Sequence, residues 1–365
     1  MKVLHVIKVT GTGGAEQHLL ALLPALRERG VDARLLALDA GLDAERFHQA
    51  LGDRGVPVLR VRAGLDASPV LAARVLRTVG RERPQLVHTH MVHGDVYGSI
   101  AAHALRIPFI SSRHNDDRYL LGPFRYVDRA FMHGVGRIVA ISDAVRAFLE
   151  RSGLPAGKLV TIHYGLDRVP APASELTPAE AGVSATAPLV LAIGRLIEQK
   201  DHATLLRAFA LVRAERPDAV LAILGWGPLE HETRALAAEL GLADHVVLPG
   251  RLEPRAWLER ADVFAHTSRW EGFGIVLLEA MLAGLPVVAT RVSAIGEIVE
   301  DGRTGLLVPA GDAAAAAEAI GRLVDDPSER RRLGDAGRER AQTEFTVARM
   351  AERTLDVYRD VLAGG

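Results

Sequence analysis

Short apolar runs and longer amphipathic stretches alternate along the whole chain. Runs with the length and composition of buried strands fall at residues 2–7, 33–38, 57–61, 85–88, 107–112 and 137–142, and again at 188–194, 219–225, 245–248, 262–266, 286–290 and 305–308. Helical spacing fills the gaps. Within 16–29, Leu19, Leu22, Leu23 and Leu26 share one stripe, although Pro24 removes a backbone donor inside it. Strands separated by helix-length crossovers predict parallel sheets with helices on both faces.

The twelve strand candidates divide evenly at one break, residues 169–188, where Pro, Ala, Ser and Thr displace large apolar side chains. A chain of 365 residues also exceeds a single core at roughly 100–200 residues per domain. The expected fold is therefore α/β, with two doubly wound Rossmann-like parallel-sheet domains facing across a cleft. We place the first domain at 1–166, a linker at 167–186, the second domain at 187–345 and a final helix at 346–365. From its pattern alone that helix could dock on either domain. Ligands of such folds sit outside the carboxyl ends of the strands, so chemistry is sought where strands meet turns.

Composition narrows the function. Lys and Arg number 44 against 45 Asp and Glu, a balance that argues against nucleic acid as the main partner. Cysteine is absent, which removes disulfides, thiolate catalysis and Cys-bound metal. The opening residues lack a signal-peptide core, and no run approaches the roughly 18 apolar residues of a membrane span. A cytoplasmic protein is expected. Peripheral contact with a membrane stays open through Arg74, Arg77, Arg81 and Arg83 beside Val70, Leu71, Val75 and Leu76. That helix reads equally as a membrane-surface element or as a solvated outer helix.

Five constellations carry candidate chemistry. After the first strand, TGTGGAE at 10–16 opens a helix, where Gly13 and Gly14 would let backbone amides approach an anion. The third glycine of a dinucleotide fingerprint is replaced by Glu16, so the turn reads equally as an anion site or as a plain tight turn. At the fourth strand, HTHMVH puts His88 and His90 on one face, with only Asp95 nearby as a further ligand type. That is too few for a closed metal site, and no metal is expected. His90 is assigned to hydrogen bonding at the cleft and His88 to packing. After the fifth strand, SSRHNDD offers His114, able to hold or donate to a substrate hydroxyl near neutral pH, with Asn115 beside it.

The second half holds the stronger signals. GRLIEQKD at 194–201 sets Arg195 and Lys200 at a strand end, and only four of the chain's 44 basic side chains are lysine. A planar fork and a mobile point charge make a diphosphate clamp. EGFGIVLLEAM at 271–281 is a Gly-Phe-Gly turn entering an apolar helix, so amides around Phe273, Gly274 and Ile275 would face an anion. If the intervening stretch were helical, Glu271 and Glu279 would stand roughly 12 Å apart. That exceeds the roughly 5–9.5 Å of paired glycosidase carboxylates, so each glutamate would hold a separate hydroxyl-bearing part of one ligand. An apolar setting makes an unpartnered Glu279 costly, and a hydroxyl or cationic partner is expected.

Taken together, GGAE at 13–16, GRLIEQKD at 194–201, EGFGIVLLEAMLAGLPVVAT at 271–290, GEIVEDGRTGLLVP at 296–309 and the tail at 329–346 resemble the retaining glycosyltransferases of family 4, which have the GT-B fold. The resemblance covers most of the chain in order. It implies transfer of a sugar from a UDP- or GDP-linked donor to a hydroxyl of a glycan, lipid-linked or small-molecule acceptor, with no cofactor. Arg195 and Lys200 would hold the diphosphate, the Phe273–Ile275 amides would assist them, and Gly14 would approach from the other domain. Glu271 would hold the transferred sugar, Glu279 the ribose, and Arg251 would lie near the base. His114 matches the histidine such enzymes put beside the donor sugar, and the last helix would cross back to the first domain. SRHNDD is more acidic after its histidine than the family pattern. Same-face attack is expected, since no carboxylate nucleophile matches the motifs. The competing readings are a GT-B epimerase without an acceptor, a dinucleotide-dependent oxidoreductase using Asp39, and a binding module of periplasmic type.

Overall fold

The computed structural model describes every residue except Thr10, Thr12, 41–43, 64–67, 169–175 and Gly365, together with the side chains of Arg118 and Tyr119. The described residues form two compact units, Met1–Gly165 with Thr346–Gly365, and Leu166–Phe345.

Seven strands build the first sheet: β1 (Lys2–Val9), β2 (Asp32–Asp39), β3 (Val58–Arg62), β4 (Leu86–His90), β5 (Phe109–Arg113), β6 (Ile138–Ala140) and β7 (Leu159–Thr161). All pair in parallel in the order β3-β2-β1-β4-β5-β6-β7. The order turns back between β1 and β4, the switch point where such sheets leave a crevice. Helices α1 (Gly14–Glu28), α2 (Ala44–Gly52), α3 (Pro69–Glu82), α4 (Met91–Leu105), α5 (Phe124–Phe131) and α6 (Asp143–Ser152) make the crossovers. Val3, Leu4, Val6, Ile7 and Val9 of β1 are all fully buried, as expected of a strand covered on both faces. α1 runs on through Pro24. At Gly94 the α4 backbone comes so close to β1 that a Cβ would sit 2.5 Å from the Val6 carbonyl oxygen.

The second sheet has six parallel strands: β8 (Leu189–Ile193), β9 (Val220–Leu224), β10 (Val246–Gly250), β11 (Val263–His266), β12 (Val287–Thr290) and β13 (Gly305–Val308). Their order, β10-β9-β8-β11-β12-β13, puts its switch point between β8 and β11. Around it lie α7 (His202–Glu215), α8 (Glu230–Glu239), α9 (Arg255–Arg260), α10 (Ile275–Leu282), α11 (Ile295–Ile298), α12 (Ala313–Asp325) and α13 (Pro327–Glu344). The last helix, α14 (Val347–Ala363), belongs to the first unit, where Met350, Ala351, Leu355, Val357, Tyr358 and Val361 join the core beside β1 and α1.

Three expectations need adjusting. β7 was not anticipated, because three residues are too few to display a period of two. The stretch read as linker is partly structural: the buried Trp257 indole donates to the Leu176 carbonyl at 3.0 Å, and Val183 is buried. Finally, α3 turns Leu71, Val75 and Val79 into the core and leaves Val70 exposed and Leu76 half-buried, so only part of its apolar set lies outside the core. No helix among the described residues is long and apolar enough to cross a membrane.

Candidate functional site

In the second unit the predicted residues gather where β8 and β11 end side by side. The Lys200 stem passes along the backbone after β8, where a Cβ on Gly194 would lie 3.3 Å from Lys200 Cδ. Its ammonium pairs with Glu271 Oε1. The same oxygen accepts from His266 Nε2 at 3.0 Å and lies 2.9 Å from the Ser268 hydroxyl. Burial pushes the Glu271 carboxyl up, but Lys200 and His266 outweigh it and hold the group well below the usual carboxylate range. Oε2 is left without a partner among the described residues. Arg195 contrasts with Lys200: its guanidinium is exposed and makes no pair among the described residues.

The turn after β11 ends at Gly274, whose φ of 96° is a left-handed conformation that favours glycine. Gly274 caps α10 without a side-chain hydrogen bond; the Leu277 amide donates to the Gly274 carbonyl at 2.9 Å, and the amides of Ile275 and Val276 are the ones left for a ligand. Phe273 is buried, edge-on to Phe345 at 6.0 Å, and can offer a ligand only its backbone. Ile275 is buried at the start of α10. Because α10 begins after Glu271, the helical spacing assumed between Glu271 and Glu279 does not apply. Glu279 is buried within α10, and no donor among the described residues reaches it. Burial, with the charge of Glu253, pushes its carboxyl up to about 8. Arg251 is exposed past the end of β10, two residues before Glu253, whose charge reaches Glu279.

In the first unit the predicted residues follow β1, β4 and β5, which are neighbours. Gly13 caps α1, and its amide donates to Glu16 Oε2 at 2.9 Å, so the chain's own carboxylate occupies part of this helix end. A Cβ on Gly14 would meet nothing within 4 Å. His90, expected at the cleft, is instead fully buried, its nitrogens 2.9 Å from His5 Nδ1 and 3.0 Å from His114 Nε2. The reason is that the face shared by His88 and His90 is covered, His88 by Tyr358 of α14 and His90 by His5, His18 and His114. His114 is half-buried just past β5, and its second nitrogen meets the Tyr164 hydroxyl. Burial, reinforced by Arg113, lowers the His114 pKa to about 3, which replaces the near-neutral titration expected of it. Asn115 beside it is half-buried. Arg113 is structural, buried against Asp95 at 3.2 Å and Asp128 at 2.7 Å.

Two family models cover the chain almost end to end: Glycosyltransferase Family 4 over residues 12–169 and Glycosyl transferases group 1 over residues 174–340. Over 96% of its length the chain is 31% identical to an alpha-maltose-1-phosphate synthase of Mycolicibacterium smegmatis, spanning 96% of that protein. This chain belongs to the group 1 glycosyltransferases. A phosphatidyl-myo-inositol mannosyltransferase of Mycobacterium leprae is likewise 31% identical, over 97% of this chain and 94% of its own. The GT-B fold also stands: Anabaena HepE, solved with UDP-glucose, superposes with a TM-score of 0.85 at 24% identity, covering 98% of this chain and 99% of its own.

For this glycosyltransferase, sequence reasoning missed His266 and Ser268 around Glu271, although HTS directly after a strand-like run was a usable signal. It also missed His5, Tyr164 and Tyr358, which no local pattern ties to His90 or His114. His5, His88 and His90 each bring a ring nitrogen within 4.8 Å of the others. All six of those nitrogens have hydrogen-bond partners within the protein.

Proposed function

We propose that this glycosyltransferase moves a sugar, with retention and without a metal, from a UDP- or GDP-linked donor to an acceptor hydroxyl of a glycan, lipid-linked or small-molecule substrate. The observation that carries the reading is the arrangement at the β8–β11 switch point. There an unpaired guanidinium, an ammonium, an uncapped helix end and a buried carboxyl lacking a donor come from adjacent strand ends. A nucleoside diphosphate has the complementary parts, an anion for the first three and ribose hydroxyls for Glu279.

In this reading the second unit, over 187–345, binds the donor. Arg195, Lys200 and the Phe273–Ile275 amides hold the diphosphate, and Glu279 takes the ribose. Glu271 Oε2 takes a sugar hydroxyl, and Arg251 lies near the base. The first unit, over 1–166 with 346–365, serves the acceptor side, with Gly13 and Gly14 toward phosphate, His114 toward the transferred sugar and Asn115 toward the acceptor. As the bond from C1 to the phosphate oxygen breaks, negative charge gathers on the diphosphate, where the cations and amides stabilise it. The acceptor oxygen bonds to C1 on the same face, and its proton passes to the departing phosphate oxygen. Lys200, His266 and Ser268 all draw on the Glu271 carboxylate, which is assigned to a sugar hydroxyl rather than to attack, so same-face attack is the mechanism we adopt. A cytoplasmic setting belongs to the same reading.

Calorimetry with UDP, GDP and ADP tests the donor site. One of them binds, and Arg195→Ala weakens it about tenfold or more, the scale of a lost charge-assisted contact of about 1.4 kcal/mol. Absence of binding by all three overturns the reading. Proton NMR of the product anomer tests retention.

A further inference from the structure

A continuous run of hydrogen bonds crosses the interior of the first unit, and the proposed reaction uses only one of its members. Ser112 Oγ on β5 lies 2.8 Å from His88 Nε2, and His88 Nδ1 lies 2.8 Å from the Tyr358 hydroxyl of α14. That hydroxyl lies 3.2 Å from His5 Nε2, and His5 Nδ1 lies 2.9 Å from His90 Nε2. His90 Nδ1 lies 3.0 Å from His114 Nε2, and His114 Nδ1 meets Tyr164. Every imidazole is entered through Nε2 and left through Nδ1.

Burial keeps all four rings uncharged at neutral pH: His5 and His114 are lowered to about 3, and His88 and His90 fall well below their ordinary value. A neutral imidazole has one N–H and one lone pair. The whole run can then be satisfied in two ways, with every donor pointing toward Tyr164 or every donor pointing toward Ser112. The Ser112 end decides between them. Ser112 is 2% exposed, and among the described residues the one partner of its hydroxyl is His88 Nε2. A buried donor turned away from that partner would cost about 1–3 kcal/mol. With the Ser112 proton on His88 Nε2, all donors point toward Tyr164 and all four histidines carry their proton on Nδ1.

We propose that Tyr358 of α14 is a positioning residue that, through His5 and His90, fixes the Nδ1–H tautomer and ring orientation of His114. The tautomer stands independently of any catalytic role. Only the effect on turnover rests on the reading of His114 as a sugar contact.

The test is long-range proton–nitrogen correlation NMR on the full chain with ¹⁵N-labelled histidine, assigned with single His→Gln variants. His5, His88, His90 and His114 are expected as Nδ1–H tautomers in the unmodified protein. Tyr358→Phe keeps the ring and removes the bridging hydroxyl, so His5 and His114 shift toward a mixture of tautomers. Ser112→Ala, which removes the anchoring donor without touching α14, has the same effect by way of His88. An Nε2–H His114 in the unmodified protein overturns the proposal, as do His114 signals unchanged in both variants. So does Zn²⁺ captured by His5, His88 and His90, because coordination would replace the run. In kinetics, Tyr358→Phe is expected to lower kcat about tenfold at unchanged donor KM. A shifted tautomer with unchanged kcat would uphold the chain of bonds and count against His114 as a sugar contact.

Discussion

At the scale of single residues, two carboxylates of one site are driven in opposite directions. Glu271 is kept ionised by Lys200 and His266, whereas Glu279, with only apolar cover and Glu253 nearby, is raised to about 8. A carboxyl whose pKa is raised by folding binds more protons in the native than in the unfolded state, so stability falls as pH climbs from the ordinary value of 4.5 to about 8. Glu279→Gln removes that slope, and above pH 8 the variant melts higher than the parent, at about 1.4 kcal/mol per pKa unit removed. Ribose hydroxyls donating to Glu279 favour its ionised form, so nucleoside diphosphate binding tightens between about pH 7 and 9 and releases a proton. Calorimetry in buffers of different ionisation enthalpy reads that proton, and in Glu279→Gln both effects vanish. The two cations also part company. Arg195→Ala changes stability by less than about 0.5 kcal/mol, because the side chain is exposed and unpaired. Lys200→Ala uncovers a buried carboxylate and costs about 3 kcal/mol near neutral pH, measured by denaturant unfolding. Folding depresses the Glu271 pKa, so the Lys200 contribution is present above about pH 4.5 and fades as pH falls below it.

At the scale of elements, the turn into α10 is the most exacting piece of backbone. Gly274→Ala would put a Cβ at φ 96° and 3.1 Å from Leu277 Cδ1. The expected loss is about 1–2 kcal/mol of stability together with weaker diphosphate binding, since the same shift moves the amides of the helix end. Unchanged affinity would separate that helix end from the phosphates. Gly14→Val, by contrast, is expected to leave stability intact, because nothing lies within 4 Å of the added Cβ, and any lost activity is then read as lost ligand approach. Much of this was legible in the sequence. The run 305–308 is β13 residue for residue, and the doubly wound pattern follows from strands spaced by helix-length crossovers. What stayed hidden was which partner each side chain meets. Alternation puts His88 and His90 on one face, but at His88 that face is closed by Tyr358, 270 residues further on. A stripe on α3 can be counted, yet its direction, inward, depends on the sheet beneath it. Lys200 and Glu271 look like two ligand contacts in sequence, and folding first makes them each other's partner across 71 residues.

At the scale of the whole molecule, the first unit is built from both ends of the chain. Tyr358 and Ala351 are fully buried in its core, and Met350 is nearly so. Removing 346–365 is expected to strip the first unit of its cooperative melt while the second unit, whose core cluster lies within Val190–Leu333, still unfolds as one. Pulse proteolysis would show one surviving fragment rather than two, and survival of both would mean that α14 is dispensable. The return of α14 also sets a clock on biosynthesis. The half that leaves the ribosome first cannot be finished until the last twenty residues emerge. At about 5–20 residues per second, translating the intervening unit and the tail takes roughly 10–40 s. For that interval β1 and β4 carry uncovered apolar and histidine side chains beside a neighbour that can already fold, so the nascent amino-terminal half is the part of this enzyme most in need of a chaperone.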